Sequence, residues 1–136
     1  MTSAESVKYF YEVILSENKL ERISDFISPA CLLRTGDKLI HIVVEGMQEH
    51  IKATKRTYPD YTMKITRQFC DGDFVISDFL MKGTHEGEFL GIHPSHKKLI
   101  FFGVNIDKVV DGKIVEHSGA VNTFETLFEQ HLIEPV

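Results

Sequence analysis

The chain has 136 residues and 43% hydrophobic content, enough for one domain to bury a core without disulfide or metal staples. Its net charge of −5, with no extended run of Lys and Arg, argues against a phosphate-tracking surface and so against nucleic acid as a partner. No stretch approaches the roughly 20 apolar residues that span a bilayer, and Met1 to Tyr11 carries Glu5 and Lys8 in place of a leader's apolar core. The expectation is therefore a cytoplasmic protein with one domain over residues 1–136.

In chain order, Thr2 or Ser3 can cap a helix in which Val7, Phe10, Tyr11, Ile14 and Leu15 recur at three- and four-residue spacing, ending near Glu17-Asn18. A shorter helical stretch runs from Lys19 to Phe26 and is stopped by Pro29. Cys31 to Arg34 reads as a short strand and Thr35-Gly36-Asp37 as a turn. Cys31 and Cys70 lack metal-ligand spacing and read as free thiols. After the apolar run Leu39 to Val44, Glu45-Gly46 opens a third helix with Met47, Ile51, Thr54 and Tyr58 on one stripe, closed by Tyr58-Pro59-Asp60. From there the period becomes strand-like. Strands are predicted at 62–70, 73–85, 97–110 and 113–122, with Asp71-Gly72 and Asp111-Gly112 as two-residue hairpin turns and Glu86 to Lys97 as a glycine-punctuated connection. A final amphipathic helix runs from Thr123 to about Leu132. Helices followed by a meander of long antiparallel strands predict an α+β fold.

Counting outward from Asp111-Gly112 assigns faces. One face carries Phe101, Gly103, Asn105, Asp107 and Val109 with Ile114, Glu116, Ser118, Ala120 and Asn122. The other carries Ile100, Phe102, Val104 and Ile106 with Val115, His117, Gly119 and Val121. The mixed face is expected to line a pocket and the apolar face to form a homodimer contact, or else to bury itself on the chain's own helices. Counting from Asp71-Gly72 groups Met63, Ile65, Arg67 and Phe69 with Phe74, Ile76, Asp78 and Leu80. Asp78 is then either a general base among apolar neighbours or the partner of Arg67 in an ion pair.

The run Gly83-Thr84-His85-Glu86-Gly87-Glu88-Phe89-Leu90-Gly91-Ile92, followed by Val109-Val110-Asp111-Gly112-Lys113-Ile114-Val115-Glu116-His117, resembles the SnoaL-like polyketide cyclase and ester cyclase family of the nuclear-transport-factor-like superfamily. Tyr58-Pro59-Asp60 resembles the aromatic-Pro-Asp end of that family's third helix. The resemblance implies a cone: a curved antiparallel sheet wrapped around N-terminal helices, with a pocket for a small apolar or polycyclic molecule. It implies acid/base chemistry of the aldol ring-closing type, or that of an isomerase or hydrolase relative, without metal or organic cofactor. It also implies a Trp after Glu-His and, four residues on, an acid/base Asp. Those positions read Ser118 and Asn122 here, and an amide cannot accept a proton from carbon.

The candidate proton carriers are His85, at a strand end, and Asp78, with Asn122 at the family's acid/base position. The alternative role of His85 is to tie down the glycine loop after it. Asn105 and Ser118, expected opposite each other, could with Asn122 polarise a carbonyl or enolate oxygen, or form a satisfied polar cluster. Tyr11, Phe26 and Phe101 are candidate ligand contacts or plain core. Arg34 could meet an anionic substrate group or sit solvated at its strand end. His93 and His96 lack a third metal ligand, and no metal site is expected. Two functions remain open: a cofactor-free cyclase- or isomerase-type enzyme, and a small-molecule binding or carrier module that has lost catalysis.

Overall fold

The computed structural model describes residues 1–134. Thr2 caps the first helix, α1 (Ser3–Tyr9), through a capping box with Glu5. The chain then continues as a π-helical stretch over Phe10–Leu15, a form that widens the helix and is common near functional sites. A 3₁₀ stretch (Leu20–Asp25) leads into β1 (Ile27–Thr35) and β2 (Lys38–His41). The long helix α2 (Val44–Thr57) precedes β3 (Thr62–Asp71), β4 (Phe74–Thr84), β5 (Lys98–Val110) and β6 (Lys113–Val121), and α3 (Thr123–Glu129) closes the described chain.

The six strands form one curled sheet in the order β2-β1-β6-β5-β4-β3. It is mixed: every pair is antiparallel except β1 with β6, which run parallel. The expected short strand at Cys31 to Arg34 is thus the end of a longer one that starts before Pro29. A register shift between Ile27 and Leu32 accommodates the proline, which has no ladder N–H to give.

The concave face holds the core. Val7, Phe10, Ile14 and Ile23 from the N-terminal segment and Ile51 from α2 bury against Ile65, Val75, Phe79, Val109 and Ile114. A second cluster, Tyr58, Tyr61, Leu99, Phe101 and Leu127, fills the end near α3.

Both hairpins depart from simple counting. The Asp111-Gly112 turn is as expected, with φ of 52° and 77° and Val110 opposite Lys113. Val115 is then an extra residue in β6: Ile114 pairs with Val109, and Glu116 with Lys108. This β-bulge flips every later side chain of β6. His117 moves to the concave face opposite Asp107, Gly119 faces Asn105, and Ser118 pairs with Ile106 rather than Asn105. In the other hairpin the turn is Gly72-Asp73, one residue later than counted, since Asp71 pairs with Phe74. Thr66 forms a second bulge, which leaves Met63 and Ile65 on the concave face and places Arg67 directly opposite Asp78 on the convex one.

Candidate active site

A cavity of about 740 Å³ opens between the concave face and α2. Its walls are mostly apolar, with Phe10, Leu15, Ile27, Met47, Ile51, Met63 and Phe79 among them, and its polar groups come from β1, α2, β5, β6 and the N-terminal segment. Such a space suits a small, largely apolar molecule oriented by a few polar contacts.

At its wall stand three side chains brought together from distant segments. Asp107 on β5 is wholly buried. Its Oδ1 lies 2.7 Å from His117 Nδ1, and its Oδ2 accepts the Tyr11 hydroxyl at 2.8 Å. A buried carboxylate is costly unless hydrogen-bonded, and here both oxygens are engaged. Because a carboxylate only accepts, His117 carries its proton on Nδ1. Nε2, which no described residue engages, is the ring nitrogen left to meet a ligand. Tyr11 and its neighbour Phe10, both in the π-helical stretch, are buried in the core, and the Tyr11 hydroxyl reaches Asp107 from there. Burial, and then the nearby Asp107 carboxylate, push the Tyr11 hydroxyl well above the ordinary phenol range, so Tyr11 stays a donor.

Around this triad lie Cys31 from β1, Asn105 from β5 and His50 from α2. Burial and then Asp107 raise the Cys31 thiol to about 11, which keeps it protonated. His50, at the mouth, is lowered by partial burial and by the neighbouring His117, which favours its neutral form. Asn105 is 6% exposed and makes no hydrogen bond to a described residue, so its amide opens into the cavity.

Of the residues singled out from sequence, Tyr11, Asn105, Ser118 and Arg34 border this cavity. Arg34 is held at the mouth by Glu116, with Nη2 to Oε1 at 3.0 Å. Asp78, His85, Asn122, Phe26 and Phe101 do not border it. Asp78 lies on the convex face in an ion pair with Arg67, because the Thr66 bulge puts the two directly opposite. His85 is buried in the second core beside Tyr58, with Nδ1 bound to Ser95 at the foot of the 86–97 connection. The Asn122 Oδ1 accepts the Phe102 backbone N–H at 2.7 Å, extending the β5 ladder by a side chain. Phe26 stacks on Tyr9, and Phe101 packs edge-on against Tyr58.

Asp107 and His117 were not among the candidates read from sequence. Asp107 was placed on the correct face, and its being the one carboxylate among Phe101, Gly103, Asn105 and Val109 was the available signal. Counting from the Asp111-Gly112 turn puts His117 on the apolar face, and the bulge, which nothing in Lys113-Ile114-Val115-Glu116 marks, turns it to the concave one. No group of His, Cys, Asp and Glu among the described residues has the geometry to hold a metal ion. No helix among them is long and apolar enough to cross a membrane.

IdmH from Streptomyces antibioticus, a proposed polyketide cyclase, superposes with a TM-score of 0.83 at 22% identity, over 96% of this chain and 99% of that one. AclR from Streptomyces galilaeus, a proposed hydroxylase, gives 0.81 at 22% identity over 98% and 100%. A proposed polyketide cyclase from Acidithiobacillus ferrooxidans gives 0.81 at 21% over 96% and 94%. At these identities the likeness establishes the fold, and two differently named activities on it show that fold alone does not select a reaction. None of the curated proteins matches the chain. The family model for SnoaL-like polyketide cyclases, however, matches residues 5–130, nearly the whole of the curled sheet and its helices, and the chain accordingly belongs to the SnoaL-like polyketide cyclase family.

Proposed function

We propose that this protein binds a small apolar carbonyl compound in the cavity and moves a proton on it with His117, in a cyclase- or isomerase-type reaction. The observation that carries the reading is the 2.7 Å contact between His117 Nδ1 and the wholly buried Asp107. Asp107 fixes the ring's tautomer and balances the charge when Nε2 takes a proton, the arrangement general acid/base catalysis requires. This moves the proposed proton carrier from His85 and Asp78 to a residue on the cavity wall. It also makes the amide at Asn122 compatible with activity, since the proton acceptor lies elsewhere. A cytoplasmic setting suits the free Cys31 and Cys70.

The convex face supports a homodimer. Phe69, Ile100, Phe102, Val104 and Ile106 are exposed there, Phe102 by 58%, and together they form an apolar surface of a kind rarely left open on a monomer.

The test is a thermal-shift screen with cyclic ketones, aromatic ketones and short esters, followed by turnover assays on compounds that stabilise. A ligand at about a hundred times its Kd adds about 2.7 kcal/mol. Stabilisation and turnover that is lost in His117→Asn support the reading. Stabilisation with no turnover by the wild type selects the binding or carrier alternative, which the amide at Asn122 favours. No stabilisation by any member counts against the cavity as a carbonyl site.

A further inference from the structure

We infer that Asn105 and Gly119 form an oxygen-reading subsite, so that the substrate presents a ketone, enol or phenol oxygen on its apolar ring body. The inference rests on the cavity reading above and adds to it which atom of the ligand is held, and by what.

Asn105 is 6% exposed, makes no side-chain hydrogen bond to a described residue, and lines the cavity, into which its amide opens. An amide on the cavity wall with no protein partner is a hydrogen-bonding group that a ligand in the cavity can complete. Its orientation follows from Gly119. A Cβ at Gly119 would come within 2.3 Å of Asn105 Oδ1 and 3.1 Å of the Val104 carbonyl oxygen, so the amide occupies the space that any other residue's side chain would fill. With Oδ1 turned towards Gly119, the Nδ2 hydrogens are the groups available to a ligand. Those are donors, and their complement is an acceptor oxygen.

The register relates this donor to the proton carrier. Asn105 pairs with Gly119 and Asp107 with His117, so Asn105 and His117 are diagonal neighbours on the concave face. Diagonal positions are about 7 Å apart. An oxygen held on Nδ2 therefore places the carbon next to its carbonyl carbon within reach of His117 Nε2, while the ring body extends along Phe79, Met63 and Ile51.

The test uses naphthol and naphthalene, which share a ring body and differ by one hydroxyl oxygen, titrated into isotope-labelled protein with backbone amide shifts as readout. The wild type is expected to bind naphthol about tenfold or more tightly than naphthalene. Asn105→Leu and Asn105→Ala should abolish that preference. Gly119→Ala should abolish it too, although the amide is still present, because the added methyl displaces it. His117→Asn should keep it. Equal binding of the two probes by the wild type overturns the subsite, as does a preference that survives all three substitutions at 105 and 119 or disappears only in His117→Asn. Failure of both probes to bind at all overturns the cavity reading itself and this inference with it.

Discussion

Asp107 is the residue on which the site depends, because a carboxylate with no exposure is tolerated only while both oxygens are hydrogen-bonded. Asp107→Asn replaces a charge-assisted bond with a neutral one and turns a donor towards Tyr11 or His117. It should lower stability by about 1–3 kcal/mol, read from the urea midpoint at unchanged slope. Cys31 gives a second prediction. Its folded thiol titrates at about 11, against about 8.5 for an unfolded one. Above about pH 8.5 the unfolded state therefore holds fewer protons than the folded state, and stability falls as pH rises towards 11. Cys31→Val should flatten that fall, leaving the part above about pH 10 that belongs to the buried phenols Tyr11 and Tyr61. In the native protein a maleimide should label the exposed Cys70 and spare the buried Cys31, and both should react in denaturant.

At the scale of elements, two single-residue bulges decide which side chains meet. The helices were legible because their burial follows a regular stripe, as with Val7, Phe10, Tyr11, Ile14 and Leu15. The turn at Asp111-Gly112 was legible because both residues adopt positive φ, which few pairs accept as readily. Val115 and Thr66 were not legible: each is an ordinary β-former inside a strand, and no local turn residue marks the register shift there. That one missed residue in β6 carried His117 to the wrong face and concealed its partnership with Asp107. Deleting Val115 removes the extra residue and should restore uninterrupted pairing with Glu116 still opposite Lys108 and His117 still opposite Asp107, so the ring-to-Tyr11 contacts should persist in nuclear magnetic resonance spectra, and their loss would contradict the assigned bulge. The 86–97 connection offers a separate check. Glu86 and Gly87 donate to the Thr57 carbonyl, and a Cβ at Gly87 would come within 2.1 Å of the Arg56 carbonyl oxygen. Gly87→Ala should therefore cost about 1–3 kcal/mol through forced backbone shifts, measured by denaturation.

At the scale of the whole molecule, the curled sheet divides the labour. Its concave face holds the core and the cavity, and its convex face presents Phe69, Ile100, Phe102 and Ile106 to the outside. Sedimentation at micromolar concentration should show a dimer, and Phe102→Glu should convert it to a monomer that keeps the cavity. A wild-type monomer under the same conditions would remove the dimer from the account. The central claim is proton transfer by His117, and hydrogen exchange on a simple ketone tests it most directly. β-Tetralone incubated with the protein in deuterium oxide should take up deuterium beside its carbonyl faster than in buffer. His117→Asn should slow that exchange by about a hundredfold or more, while Asp78→Asn and His85→Gln leave it near the wild-type rate. Exchange equally fast in His117→Asn, or no acceleration by a wild type that binds the ketone, would contradict the account.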